Sequence, residues 1–179
     1  VYKRQNEDIV GSVDYLPGGY GVEYGRSTGG VINIRTNAEY PDRIRAEASV
    51  DLLDATAVVQ GRVGPDQQWG LTVAGRRSYL DAFLPLFTRD SGFTVEPYWW
   101  DYQVKLDQLK KASGKFSVLM MGFGDKLYFG SPDDVAQGSD PDSQGDADVR
   151  YGAHRIIAQY NAQITDDLLV RVTPSAGLD

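Results

Sequence analysis

Polar and apolar residues alternate with a period of two along most of the chain, the pattern of strands that show one face to water and the other to an apolar medium. The first such run is Arg43–Leu52. Arg43, Arg45, Glu47, Ser49 and Asp51 fall on one face, and Ile44, Ala46, Ala48, Val50 and Leu52 on the other. A short turn near Asp54 leads to Ala55–Val63, with Thr56, Gln60 and Arg62 opposite Ala57, Val59 and Val63. Gly64-Pro65-Asp66 is a strong turn signal. A third strand is predicted over Trp69–Leu80, followed by a long connection, Asp81–Pro97. The fourth, Tyr98–Leu109, alternates most sharply, with Tyr98, Trp100, Tyr102, Val104 and Leu106 against Asp101, Gln103, Lys105 and Asp107. After a tight turn at Lys110–Gly114, Lys115–Phe129 alternates less cleanly. A second long loop covers Gly130–Asp148. Val149–Ile164 then sets Ile156, Ala158, Tyr160, Ala162 and Ile164 against Arg155, Gln159, Asn161 and Gln163. Thr165-Asp166-Asp167 turns the chain into a last strand, Leu168–Thr173.

The connections are long after the third and fifth strands and short after the second, fourth and sixth. Up-and-down membrane barrels show this alternation, with short periplasmic turns and long extracellular loops. The very short turn near Asp54 is the exception. The strands also exceed the ~5–6 residues usual in globular sheets and match the ~9–11 tilted residues that cross a bilayer. The competing expectation is a soluble β-sandwich or lipocalin-like barrel. Arg77 separates the two, because it shares the apolar face of its strand with Trp69, Leu71, Val73 and Tyr79. Near a barrel's extracellular end it costs only ~0–1 kcal/mol; at mid-membrane it would count against a membrane barrel.

Composition narrows the classes. The 179 residues carry 18 basic and 25 acidic side chains, a net charge of −7, which makes a poor partner for nucleic-acid phosphates. There is no cysteine, so disulfides, thiolate metal sites and a cysteine nucleophile are excluded. No stretch approaches the ~20 apolar residues of a membrane helix; the best run, Phe116–Phe123, is interrupted by Ser117 and Gly122. Any membrane crossing would therefore use strands, and a mean hydropathy of −0.38 fits a barrel or a soluble protein. The chain opens without an initiator Met or a signal peptide and stops at Pro174–Asp179 just after a strand, so it reads as an internal fragment. Val1–Gln5 looks like a translated adapter.

Residues up to about Asn37 hold Gly18, Gly19, Gly21, Gly25, Gly29 and Gly30, after which glycines thin out. This is no phosphate cradle. The Gly-Lys-Ser/Thr of a Walker loop is missing, and Tyr24 stands where a dinucleotide fingerprint needs its third glycine. Val13–Thr36, VDYLPGGYGVEYGRSTGGVINIRT, resembles instead the C-terminal end of the plug domain of TonB-dependent outer-membrane receptors. Tyr24, Gly25, Arg26, Gly29, Gly30, Val31, Ile32, Asn33 and Ile34 match that pattern in order. Leu16-Pro17-Gly18-Gly19 departs from the Arg-Gly-Pro turn of many members. Ala74–Asp81 and Tyr98–Asp107 are more loosely similar to early barrel strands. The resemblance implies an all-β protein: residues 1–37 the end of a plug, residues 38–179 about seven strands of a transmembrane antiparallel β-barrel of ~22 strands. It implies energy-coupled uptake of a scarce ligand (siderophore, cobalamin or glycan) across the outer membrane of a Gram-negative bacterium. The TonB inner-membrane complex would be the partner, acting through a segment absent here, with no catalysis and no cofactor. The alternatives are a passive outer-membrane barrel or adhesin, and a soluble β-rich binding module.

The candidate site residues follow. Tyr24, Gly25, Arg26, Gly29, Gly30 and Asn33 form the plug motif. The resemblance pairs Arg26 with a wall carboxylate, leaving Glu47, Asp51, Asp101 and Asp107 open. Trp99 and Asp101 are the candidate ligand-facing residues. Tyr98, Trp99, Trp100 and Tyr102 form an aromatic patch of the kind found where barrels meet the bilayer edge. Asp140, Asp142 and Asp146 make a weak calcium candidate, because Gln144 and Tyr151 occupy positions five and twelve of the would-be loop. His154, the only histidine, cannot build a histidine-rich metal site.

Overall fold

A computed structural model describes residues 9–25, 29–88, 94–110, 114–130 and 147–179. An N-terminal hairpin pairs β1 (Val10–Leu16) with β2 (Val31–Thr36), antiparallel, with Leu16 opposite Val31 and Asp14 opposite Asn33. Most of the other described residues form one antiparallel sheet. Its strands are β3 (Arg45–Val50), β4 (Asp54–Val63), β5 (Trp69–Ser78), β6 (Thr94–Gln108), β7 (Gly114–Gly130), β8 (Ala147–Thr165), β9 (Leu168–Val172) and β10 (Ser175–Leu178). Each strand from β3 to β8 pairs with its successor, and both β9 and β10 pair with β8. The protein is therefore all-β, and the sheet is an uninterrupted up-and-down meander.

β9 and β10 are one strand in two pieces. Val172 stands opposite Tyr160 and Ser175 opposite Ile157, three residues further along each chain, so the register does not shift across the break. Between them the Ala158 amide still donates to the Pro174 carbonyl at 3.0 Å. Pro174 has no N–H to return, so the ladder loses a single bond there. Counted this way the sheet has seven strands, and its last one runs past the expected Thr173 into the segment read as an abrupt end.

The connection after β5 also differs from expectation. Leu80–Thr88 folds as a helix, α1, and β6 begins at Thr94, ahead of Tyr98. Pro97 sits inside β6 opposite Leu127 without disrupting the sheet. The Trp99 amide faces β5, donating to Ser78 Oγ at 2.9 Å. Pro97, two residues earlier, turns the same edge outward where β5 has already ended, so its missing N–H costs no ladder bond.

Cross-strand register sorts every side chain onto one of two faces. One apolar row reads Ala46, Val59, Val73, Val104, Met120, Ile156 and Ala176 across the sheet. The adjoining row reads Gly61, Leu71, Leu106, Val118 and Ala158. Beyond these, towards the short turns, stand Trp69, Phe116 and Tyr160. Towards the long connections stand Trp100, Tyr102 and His154. We call this the apolar face. The opposite face carries Arg45, Glu47, Thr56, Gln60, Thr72, Arg76, Asp101, Gln103, Lys105 and Asp107 in β3–β6, with Leu119, Met121 and Phe123 continuing it in β7.

Candidate functional site

The N-terminal hairpin is seated on the polar face by its open end. Ile9 packs with Val58 and Ala74, the buried hydrophobic cluster of the fold. The Asn37 amide donates to the Ile9 carbonyl at 2.8 Å, closing the hairpin there. The Lys105 ammonium, almost wholly buried, reaches the Asn37 carbonyl at 3.0 Å. Hairpin and wall thus meet through one small apolar cluster and one charged donor.

Immediately downstream, Tyr40 clamps the linker to the wall. It is 6% exposed. Its ring covers Gly70 so closely that a Cβ there would fall 2.5 Å from Cε2. Its hydroxyl donates to Asp107 Oδ2 at 2.6 Å, while Lys105 Nζ lies 2.8 Å from the same oxygen and Ser117 Oγ donates to Oδ1 at 2.5 Å. Burial, together with the Asp107 charge beside it, pushes the Tyr40 phenol far above its usual range. A glycine on β5, an acid and a base on β6 and a hydroxyl on β7 are therefore all spent on holding one tyrosine of the linker.

Further along the polar face, Asp101 is 5% exposed and bound by Arg76 Nε at 2.7 Å. Its other oxygen, Oδ1, is buried without a hydrogen-bond partner. Trp99 is half-buried on the same face, opposite Asp125. The two candidate ligand-facing residues thus share the face that holds the hairpin, and Asp101 is already engaged by a wall arginine.

The described motif residues sit in the hairpin away from this contact. Tyr24 closes a short 3₁₀ turn, Val22–Tyr24, and meets Tyr20 edge-on at 6.2 Å. Gly25, Gly29 and Gly30 are exposed, Asn33 is half-buried, and the Tyr15 ring lies over Gly30. Arg26 lies outside the described residues, as do Asp140, Asp142 and Asp146. Of the four carboxylates open to Arg26, Asp101 is held by Arg76, Asp107 by Lys105 and Tyr40, and Asp51 by the amides of Leu53 and Asp54. Among the described residues no group of three or more His, Cys, Asp or Glu is placed to hold a metal ion. None of their helices is long and apolar enough to cross a membrane, which says nothing of a β-barrel.

Ile9, Asn37, Tyr40, Gly70 and Ser117 carry the hairpin–wall contact, and sequence reasoning passed over all five. Tyr40 left one trace: it is a lone aromatic in the polar linker Asn37–Asp42. No protein-family model matches the chain, and neither the curated proteins nor the solved structures contain a match.

Proposed function

We propose that this chain is part of a TonB-dependent outer-membrane transporter: the end of a plug and the first strands of the barrel around it. The observation that carries the reading is the division of the sheet into two faces. Val59, Val73, Met120 and Ile156 occupy one row and are 42%, 40%, 39% and 45% exposed. A continuous aliphatic face of this kind is an aggregation liability in water and the normal outer surface of a barrel in lipid. Aromatic residues flank it at both ends, as at the two interfaces of a bilayer. From Trp69 to Arg77 is eight residues of β5 (77 − 69), about 27 Å along the strand at ~3.4 Å per residue. With a strand tilt of ~40° that is about 20 Å of membrane depth, close to the ~25 Å apolar band of such barrels. Arg77 stands beside Ser78, the last residue of β5. It lies at the end where a charge is tolerated.

The seat of the N-terminal hairpin supports the plug half of the proposal. It lies on the polar face, which in a barrel is the lumen. The ligand would be captured by the long connections 81–97 and 130–148 and released inward when the hairpin is displaced.

The absence of cysteine offers a direct test. Single cysteines at Gly138 and at Asp66 in the complete reading frame are treated in intact cells with a membrane-impermeant maleimide. Labelling at Gly138 alone is expected. Labelling at neither, with the protein in the soluble fraction, would sink the membrane reading. A third cysteine at Gly29 addresses energy coupling, since its labelling should depend on a working TonB complex. Equal labelling with and without that complex would leave a passive barrel.

A further inference from the structure

The geometry points to a binding groove for a phosphorylated lipid headgroup on the apolar face, at the end that carries the long connections. The inference rests on the outer-membrane reading above. Its floor is a pair of facing glycines, Gly124 of β7 and Gly152 of β8. With no side chains there, a groove of about 460 Å³ opens, bounded by Tyr98, Trp100, Asp125, Lys126, Arg150 and Tyr151; Asp125 belongs by register to the opposite face, opposite Trp99. The Trp100 indole lies along one wall, 2.6 Å from where a Cβ on Gly124 would be. It stacks on Tyr102 at 6.1 Å with the ring planes 2° apart, and His154 completes the cluster at 5.8 Å. Tyr102 Oη and His154 Nδ1 share a hydrogen bond of 3.0 Å, which ties the two rings together.

Cations collect above this aromatic row. Tyr98, Lys126 and Arg150 are direct cross-strand neighbours, and the Arg77 guanidinium lies 5.3 Å from the Tyr98 ring centre. Lys126 is held near the Tyr128 ring at 5.8 Å. Arg150 is engaged by Asp148, with Nη2 2.6 Å from Oδ2. Lys126 also lies within the field of the Asp148 carboxylate, whereas Arg77 forms no ion pair with a carboxylate among the described residues. The acids of this face, Glu96 and Asp148, stand one row further out, opposite Tyr128. From the aliphatic rows outward the order is therefore aliphatic, aromatic, cationic, acidic.

That order matches a lipid taken from tail to headgroup. Acyl chains lie against Met120 and Ile156. The interfacial part of the lipid packs on Trp100, which covers Gly124, and over Gly152, which no side chain covers. A phosphate sits between Lys126 and Arg77, within reach of Arg150. A membrane-facing pocket of basic residues is a known way to bind anionic headgroups. A free phosphate would leave the aliphatic and aromatic part of the groove without a role.

The test uses Trp100 as the reporter. In a Trp69→Phe, Trp99→Phe background the chain is reconstituted in phosphatidylcholine vesicles containing a minor share of lipid brominated near the headgroup. Brominated phosphatidylglycerol is expected to quench Trp100 in preference to brominated phosphatidylcholine, by about fivefold or more at low salt. The preference falls to near unity in the Arg77→Gln, Lys126→Gln double variant. Raising the ionic strength erodes it in the parent and leaves the double variant unchanged. Equal quenching by the two lipids in the parent overturns the proposal, as does a preference that survives the double substitution. Loss of the preference on adding inorganic phosphate, beyond the loss caused by sodium chloride at the same ionic strength, would assign the groove to the free ion and equally overturn the lipid proposal. Quenching by neither lipid places Trp100 outside the bilayer and overturns the membrane reading itself.

Discussion

Replacing Gly70 with alanine should destabilise the protein, and should do so only while Tyr40 is present. The new methyl would lie 2.5 Å from Cε2 and 2.6 Å from Cγ of the Tyr40 ring, closer than any real contact, so the ring must move. Overpacking of this kind costs ~1–3 kcal/mol. The displaced ring also strains the 2.6 Å bond to Asp107. Tyr40→Ala removes a 94% buried aromatic (100 − 6) and costs about 3 kcal/mol. In that background the alanine at 70 enters vacated space and costs close to nothing. Two single changes of about 2 and 3 kcal/mol should therefore combine to about 3, a coupling of about −2 kcal/mol, within the range measured for residues in contact. Urea unfolding in detergent, followed through the emission of Trp69 in a Trp99→Phe, Trp100→Phe background, supplies the four free energies. Additivity within ~0.5 kcal/mol would mean that the ring does not rest on Gly70, and the clamp would be wrong.

The same network predicts that Lys105→Met, which removes a buried cation from Asp107 and the Asn37 carbonyl, costs ~3–5 kcal/mol in that assay; a loss below ~1 kcal/mol would refute it. Tyr40 should stay protonated well above the ~10 of a free phenol. Its raised pKa means that its contribution is complete below that value and is lost only as pH rises through the folded-state value. An absorbance titration of the parent minus that of Tyr40→Phe should accordingly show no ionisation near pH ~10. At the β3–β4 turn, Asp51 Oδ1 accepts from the Leu53 amide at 2.7 Å and the Asp54 amide at 3.0 Å. These bonds, Asp54 first, hold its carboxyl below the usual range. A depressed pKa stabilises the turn above the unfolded value and ceases to do so as pH falls through the folded one. The two amide resonances should therefore shift with a midpoint below that of an ordinary carboxylate and stop titrating in Asp51→Asn; an ordinary midpoint would argue against the turn geometry.

Where the fold was legible in the sequence, one physical rule acted residue by residue. The two faces of β6 were read correctly because apolar and polar neighbours lie on its two sides, and each position from Trp100 to Asp107 answers to its own side alone. β7 was blurred because Leu119, Met121 and Phe123 put apolar side chains on the polar face as well, so the period of two weakens. α1 was missed for a different reason. Leu80–Thr88 is short, its residues are largely apolar all round, and a proline inside it argues against a helix. β10 was missed because Pro174 interrupts the alternation. Only the unchanged pairing with β8 shows that the strand continues.

The contact between the hairpin and the wall was illegible on quite different grounds. Nothing local marks Tyr40, Gly70, Asp107 and Ser117 as partners, since each is ordinary in its own segment and acquires a role only across 10 to 67 residues of chain. The glycine motif drew attention to Tyr24–Asn33, where the backbone is unusual. The structure spends its buried hydrogen bonds instead at Asn37 and Tyr40, where the hairpin hands over to the sheet. A face turned towards a uniform medium can be specified one residue at a time. A joint between two parts of a chain must be specified in pairs, and pairs leave no periodicity to read. That difference explains why the outward rows could be written down from the sequence, while the anchor that fixes the hairpin against them could not.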